Sequence, residues 1–389
     1  MGALGKGERM GAASDGAYEV VRAIRTMASD GISARAAEID RDGAFPQAAM
    51  ASLGEVGGLG LVVPSEHGGA GGRLVALADA CEALGRACAS TGMVFLMHNV
   101  AAATIAGGGG ERASELLATM AGGHVLATLA FSERGTGAHF YAPELHAVRE
   151  NGGIRISGRK GFVTSGGNAD VYLVLVQSAE GDGLDCYAIR REHEGVAFDG
   201  VWRGLGMAGN SSVAMQLEGV RVEAADRIGS AGAAADLVFS VVAPFFLVGL
   251  AAVSVGIAAA ARDVAVAHAA KPRYSDNSAL AEVQVIQHLL ADIDLAVRSA
   301  QLLVQTAAQL GDSGDPGALV PIMEAKVGAT EIAAVVTQTA LEVCGGQGYT
   351  DLLPIERHLR DARAGAVMAP TNAVLRNWIG KALAGLPVP

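Results

Sequence analysis

The longest uncharged stretch of the chain runs from Leu237 to Ala261, 25 residues without Lys, Arg, Asp or Glu. Such a segment is long enough to cross a bilayer. Asp236 precedes it and Arg262-Asp263 follows it, so its flanks lack the basic asymmetry of a membrane anchor. A helix buried on all sides of a bundle has the same composition. The stretch therefore favours a helical bundle with a central apolar helix, and we expect no membrane span.

Composition narrows the class of protein further. The 389 residues are 51% hydrophobic and 18% charged, which indicates a globular protein of more than one module. A net charge of -11 argues against nucleic-acid binding. The four cysteines form no CxxC pair and have no His at ligand spacing, which argues against a metal site and is typical of reduced thiols. The polar N-terminus has no apolar core of a secretory signal, so we expect a cytoplasmic protein.

The hydrophobic periodicity changes twice along the chain. Helical spacing dominates up to about residue 127, as in Tyr18–Met27 and Arg73–Arg86. Short β-branched runs separated by Gly-rich turns follow. They are Leu145–Val148, Ile154–Ile156, Val171–Val176 and Ala214–Val222. This spacing predicts a small antiparallel sheet or barrel.

The last part of the chain is predicted to be helical again. Long amphipathic runs cover Val283–Leu310 and Ala318–Leu341, and the glycines of residues 345–348 are expected to end the second run. The whole pattern predicts an α+β protein with three domains. We place them at residues 1–127 (N-terminal α-helical), 128–227 (middle β) and 228–389 (C-terminal α-helical bundle).

Five short motifs occur in a fixed order, and four of them are rich in glycine. They are residues 60–71 (GLVVPSEHGGAG), 130–139 (AFSERGTGAH), 158–166 (GRKGFVTSG), 273–284 (an Arg with Ser two residues later and Gln eleven later) and 342–362 (EVCGGQGYTDLLPIERHLRDA). In this order and spacing they resemble the acyl-CoA dehydrogenase superfamily over residues 18–385. The resemblance implies an N-terminal helical domain, a central small β-barrel or sheet, a C-terminal four-helix bundle and an FAD cofactor.

The resemblance assigns one group of residues to the isoalloxazine ring. In relatives, backbone N–H groups and a hydroxyl meet the edge of the flavin and stabilise the charge of the reduced ring. The matching positions are Phe131, Ser132, Gly137, Phe162, Thr164 and Thr371. Ala138-His139 stands where relatives carry Ser-Asp, which changes the usual thioester contact.

A second group is implied to hold the dinucleotide part of FAD. In relatives the Arg reaches the pyrophosphate bound by the neighbouring subunit, a role suited to the bidentate guanidinium. The matching residues are Arg273, Ser275, Gln284, Glu342, Gly345 and Gly346. Asp276-Asn277 replaces the usual Phe-Gly, and an acidic residue near a pyrophosphate is unfavourable. Because a neighbouring subunit contributes to each cofactor site in relatives, the resemblance implies a homodimer or homotetramer.

The carboxylate base of ordinary relatives is missing. Its common position, eight residues after the Arg360-Asp361 pair, is Ala369. Its alternative position falls within Phe246–Val248, which is apolar. An alanine accepts no proton, so another group must act if a proton is removed. The candidates are His98 and His139, although a packing role fits His98 better, and Glu133 is expected to be structural.

Three functions remain open at this stage. The first is α,β-dehydrogenation of an acyl thioester, linked to CoA or a carrier protein, with a non-standard base and an electron-transfer flavoprotein as oxidant. The second is a flavin-dependent monooxygenase of the same fold, which would use reduced flavin from a flavin reductase together with O2, and needs no α-proton base. The third is a non-catalytic member of the family. The flavin-facing residues argue against the third.

Overall fold

A computed structural model describes residues 15–150, 152–271 and 275–388. Six α-helices make up the N-terminal part of the described residues. They are α1 Asp15–Met27, α2 Ser33–Asp42, α3 Gln47–Glu55, α4 Leu74–Ala87, α5 Ala89–Gly108 and α6 Ala113–Ala121. Helix α5 is buried along almost its whole length, from Ala89 to Ile105. It has no polar face because protein surrounds it on all sides.

The middle of the chain forms two four-stranded sheets. The strands are β1 Ala127–Ala130, β2 Ala147–Glu150, β3 Gly153–Val163, β4 Val171–Gln177, β5 Leu184–Arg190, β6 Val196–Asp199, β7 Val213–Val222 and β8 Arg227–Ile228. One sheet has the order β1-β4-β5-β8 and the other β2-β3-β7-β6. All pairs are antiparallel except β1 with β4. The first sheet is buried on both faces at β4, whose residues are almost all apolar.

The C-terminal part is a bundle of long helices. It comprises α7 Ala234–Leu237, α8 Ala243–Ala269, α9 Gln284–Ser313, α10 Leu319–Gly348, α11 Ile355–Ala362, α12 Ala364–Val367 and α13 Asn372–Leu383. Helix α8 lies at its centre and packs against α4, α9 and α10. A side chain at Gly256 of α8 would collide with the α4 backbone at the Glu82 carbonyl, so small residues set this close crossing.

Two helices are long and apolar enough to span a membrane by length and composition. They are Ala89–Gly108 and the continuous run Ala234–Ala269, and 94% and 67% of their most apolar windows are buried inside the protein. Burial within the bundle accounts for the uncharged stretch that the sequence placed at Leu237–Ala261.

A cluster of charged groups joins the three parts of the chain. Arg360 of α11 donates to Asp40 of α2, at 2.9 and 2.6 Å, and to Glu356. The adjacent Asp361 accepts a 2.6 Å hydrogen bond from the Met207 amide in the middle domain. Burial raises the pKa of Asp361 to about 6. The Arg360-Asp361 pair thus links the C-terminal bundle to the N-terminal helices and to the middle domain.

The predicted fold class and the order of the three domains are confirmed, while the domain boundaries stay predictions. One detail differs: the β1–β4 pair is parallel, because β1 enters the sheet from the helical domain and not through a hairpin. The glycines interrupt α10 as expected, since Gly345 has the non-helical angles φ 56° and ψ -141° and only a short helical segment follows it to Gly348.

Candidate functional site

The turn after β1 carries three of the predicted flavin contacts and is held from behind by an ion pair. Phe131 is buried, Ser132 is half-buried and Gly137 is exposed. Glu133 accepts from the Glu144 amide at 2.8 Å and pairs with Lys160 Nζ at 2.5 Å. Burial lowers the pKa of Lys160, and the Glu133 carboxylate opposes that shift. These contacts agree with the structural role expected for Glu133.

The end of β3 lies directly against this turn. The Gly161 amide donates to the Ser132 carbonyl at 2.8 Å, so the two segments that the motifs predicted are brought together. Thr164 is buried, and its hydroxyl lies 3.1 Å from Ser212 Oγ. Phe162 has a φ of 53°, and 74% of its side chain is exposed.

An exposed aromatic in the left-handed region is an unusual conformation for a bulky residue. The Phe162 ring makes one edge contact, with Trp202 at 6.5 Å between centroids. Nearby Gly161 has open space where a Cβ would stand, as has Gly137. Ser165, one residue beyond Thr164, has a buried hydroxyl without a hydrogen-bond partner. The exposed Phe162 ring and the open space beside the Gly161 and Gly137 backbone fit a planar group such as a flavin.

The C-terminal domain closes on the same turn through aromatic side chains. Tyr141 packs against Phe239, just before α8, and against Trp378 of α13, with centroid distances of 5.3 and 5.7 Å. Thr371 begins α13 as its N-cap, and its hydroxyl accepts from the Val374 amide at 3.4 Å. The Tyr141 packing attaches the helix that Thr371 begins to the turn that carries Ser132 and Gly137.

The two candidate bases occupy different surroundings. His98 is fully buried, its Nε2 lies 2.8 Å from the Leu59 carbonyl, and its Nδ1 accepts from the Ala127 amide at 3.0 Å. Burial lowers the pKa of His98 to about 4. Both ring nitrogens are used by the backbone, which fits packing better than proton transfer. His139 is exposed, and its Nδ1 lies 2.8 Å from Tyr141 Oη.

The positions where relatives carry a carboxylate hold none. Ala369 is half-buried, between Met368 and Pro370. On α8, Phe246 is half-buried and Leu247 is fully buried. Within residues 15–150, 152–271 and 275–388, no three His, Cys, Asp or Glu side chains are grouped to hold a metal ion.

The residues predicted for the dinucleotide lie away from this turn. Arg273 falls outside the described residues. Ser275 and Gln284 are exposed, and so are Glu342, Gly345 and Gly346. Helices α9 and α10 form an antiparallel hairpin, so Gln284 at the start of α9 and Gly345 at the end of α10 share one end of the bundle. The Asp276 carboxylate accepts from Ser278 at 2.7 and 3.0 Å, which closes a local turn.

The sequence did not single out Lys326. It lies on α10 and is fully buried. Its Nζ lies 2.8 Å from Asn372 Oδ1 and 3.0 Å from the Pro370 carbonyl. The neighbouring Glu324 makes Lys326 look like part of an exposed charged segment, so no local pattern marked it as a buried charge.

Three family models match consecutive parts of the chain. They are the N-terminal domain of acyl-CoA dehydrogenase at residues 14–124, the middle domain at 128–220 and the C-terminal domain at 248–384. Their order is that of the helical, sheet and bundle parts of the structure.

Individual proteins match over nearly the whole chain. A cyclohex-1-ene-1-carbonyl-CoA dehydrogenase of Geobacter metallireducens is 31% identical over 92% of this chain and 96% of its own. A short-chain specific acyl-CoA dehydrogenase of Clostridium acetobutylicum is 30% identical, with 92% and 95% covered. The structure of butyryl-CoA dehydrogenase from Megasphaera elsdenii superimposes with a TM-score of 0.89 at 24% identity, covering 96% of this chain and 99% of that one.

Proposed function

Because the chain belongs to the acyl-CoA dehydrogenase family, whose members are FAD-dependent oxidoreductases, we propose that it oxidises an acyl thioester by α,β-dehydrogenation. The observation that carries this proposal is the contact between the Ser132 turn and the end of β3. It brings together the two segments that carry Ser132, Phe162 and Thr164, three of the predicted flavin contacts.

Each of these residues has a distinct task. FAD, when bound, supplies the acceptor for the two electrons of the substrate. Ser132 offers a hydroxyl donor to the ring edge, and Thr164 a second one, oriented by Ser212. Phe162 covers an aromatic face and excludes water. Thr371, at the start of α13, contributes a hydroxyl from the opposite domain.

The proton acceptor must differ from that of ordinary relatives. Ala369 and Leu247 carry no ionisable group, and His98 has no free ring nitrogen. His139 follows the flavin-facing turn, and Tyr141 orients it. With the Nδ1 proton donated to Tyr141 Oη, the Nε2 lone pair of His139 stays available for the α-proton.

The remaining parts of the proposal concern partners. We propose that an electron-transfer flavoprotein re-oxidises the enzyme in the cytoplasm, and that the protein is a homodimer or homotetramer. The exposed cluster of Gln284, Glu342 and Gly345, together with Arg273, then serves the FAD of a neighbouring subunit.

The test is anaerobic mixing of the FAD-bound protein with a panel of acyl-CoA and acyl-carrier thioesters. We expect the flavin absorbance to bleach with at least one thioester. His139→Ala should slow bleaching by about 100-fold or more, as for loss of a general base. His124→Ala, at an exposed histidine, is the matched control and should leave the rate unchanged.

A second variant makes this test more specific by placing a carboxylate at the position where relatives carry their base. Ala369→Glu in the His139→Ala background should recover part of the bleaching rate, because the new side chain stands where relatives keep their base. Wild-type protein that takes up no FAD would instead support the non-catalytic function.

A monooxygenase is the second candidate, and the observation that favours it is the missing carboxylate at Ala369. An oxygenase does not need to remove an α-proton. The expected result is then no bleaching by any thioester. Oxygen added to the chemically reduced protein should instead give a transient absorbance distinct from that of both the oxidised and the reduced flavin.

A further inference from the structure

The buried amine of Lys326 is saturated with hydrogen-bond acceptors. Its Nζ lies 2.8 Å from Asn372 Oδ1, 3.0 Å from the Pro370 carbonyl and 3.4 Å from the Met368 carbonyl. None of these acceptors carries a charge. Only the protonated amine has three hydrogens to donate, so this geometry is that of an ammonium ion.

The three acceptors enclose the segment that replaces the family's catalytic loop. Met368 and Pro370 flank Ala369, and the Pro370 carbonyl belongs to the peptide unit that leads into Thr371. Asn372 follows as the first residue of α13. One side chain therefore fixes both ends of the turn from Met368 to Asn372.

Further hydrogen bonds and an ion pair hold Asn372, one of the Lys326 acceptors, in place. Asn372 exchanges hydrogen bonds with Thr330 at 3.0 and 3.3 Å, and its Nδ2 donates to Glu331 at 3.2 Å. Glu331 in turn forms an ion pair with Arg376 on the exposed face of α13. Because Lys326, Thr330 and Asn372 are all buried, water cannot replace the amine without leaving polar groups unpaired.

We propose that Lys326 is a positioning residue of the flavin site: it holds the Ala369–Thr371 turn in place and supplies a buried positive charge that favours flavin reduction. The proposal rests on the proposed function, since it requires a flavin beside Thr371. A reduced flavin carries more negative charge than the oxidised form. A buried cation beside the turn that leads into Thr371 would stabilise that charge if the flavin lies against this turn.

Two variants separate position from charge. Lys326→Met removes every hydrogen bond of the amine, whereas Lys326→Gln keeps an amide donor and removes only the charge. Thr337→Val is the matched control: Thr337 is buried on the same helix, and its hydroxyl bonds only carbonyls of α10. The measurements are hydrogen exchange of the amides of residues 371–375 and the flavin midpoint potential below neutral pH.

We expect exchange in residues 371–375 to be about tenfold faster in Lys326→Met than in Thr337→Val. We expect both Lys326 variants to disfavour flavin reduction by about tenfold, equivalent to about 30 mV for a two-electron couple. If Lys326→Met does not fold, the flavin midpoint potential is measured on Lys326→Gln alone.

The inference would be overturned if amide exchange in Lys326→Met equalled that of the control. It would also be overturned if the reduction equilibrium of the flavin in Lys326→Gln stayed within about twofold of that in wild type. Absence of thioester bleaching with the potential shift intact would refute the proposed dehydrogenation and leave the role of Lys326 standing. A protein that binds no flavin would refute the charge effect, and the exchange measurement would still test the anchor.

Discussion

At the scale of single residues, the main unusual feature is the lysine amine of Lys326, which is buried inside the bundle among uncharged acceptors. Burial lowers the pKa of Lys326 to about 7, from an ordinary value of 10.5. The surrounding carbonyls favour the ammonium, and removal from water opposes it. The Glu331 carboxylate opposes this shift, because its charge favours the ammonium.

This depressed pKa predicts how stability depends on pH. Between about pH 7 and 10.5 the unfolded chain binds a proton at Lys326 that the folded protein has lost. The free energy of unfolding should therefore rise with pH in that window, by at most about 1.4 kcal/mol per pH unit from this group. Below pH 7 both states are protonated, and the contribution is constant.

Urea denaturation of wild type and Lys326→Met at several pH values checks this prediction. Other titrating groups cancel in the difference between the two proteins. We expect that difference to grow in favour of wild type from pH 7 upwards. A difference that stays constant up to pH 9 would mean that Lys326 keeps an ordinary pKa in the folded protein.

The residues of the site were predictable only where they form local motifs. The turn at Ser132 and the end of β3 at Thr164 each have a recognisable pattern, and the structure joins them through a backbone hydrogen bond. Lys326 and Asn372 are 46 residues apart in the chain. Their contact arises from the packing of α10 against α13, which no local pattern of residues encodes.

At the scale of elements, periodicity predicted the long helices well and the short strands less completely. Helices α9 and α10 follow from their amphipathic runs, and β4 follows from its continuous apolar sequence. Strands β1, β5, β6 and β8 were missed. In β6 the residues alternate only between half-buried and exposed positions, so its sequence shows little hydrophobic contrast.

The crossing of α4 and α8 gives a prediction at this scale. Gly256 lies against the α4 backbone, and a Cβ there would collide with the Glu82 carbonyl. Gly256→Ala should therefore lower the free energy of unfolding by about 1–3 kcal/mol. Gly380, an exposed glycine of α13 with open space around it, is the matched control.

Gly380→Ala should leave stability unchanged or raise it by up to about 1 kcal/mol, since alanine favours a helix more than glycine does. Chemical denaturation of both variants measures the contrast. Equal effects of the two substitutions would show that α4 and α8 can separate without cost.

At the scale of the whole molecule, helix α9 exposes two leucines on the side opposite its buried face. Its inner face, including Ile293 and Val297, is buried against the bundle. On its outer face Leu295 and Leu302, seven residues apart, are 64% and 69% exposed. Two exposed leucines on the same side of a helix are typical of a contact surface. The predicted dinucleotide residue Gln284 begins the same helix, which favours a second copy of the chain as the partner.

Glutamate at both positions should therefore separate the subunits. We expect the double variant Leu295→Glu and Leu302→Glu to sediment as a folded monomer, because burying two carboxylates in an interface is costly. It should also bind FAD far more weakly than wild type, since Arg273 of a neighbouring subunit is predicted to contact the pyrophosphate. Analytical ultracentrifugation and retained flavin measure the two effects. Val148→Glu, at an exposed strand position, is the control for added surface charge.

Sedimentation tests the contact surface, and retained flavin tests whether the cofactor site is shared between subunits. If the double variant stays oligomeric, the outer face of α9 is not the contact surface. If it becomes a folded monomer that keeps its FAD, then the cofactor is held within one chain, and the role predicted for Arg273 is wrong. Loss of both oligomer and FAD, with the fold preserved by circular dichroism, is the result expected of a site completed across the subunit boundary.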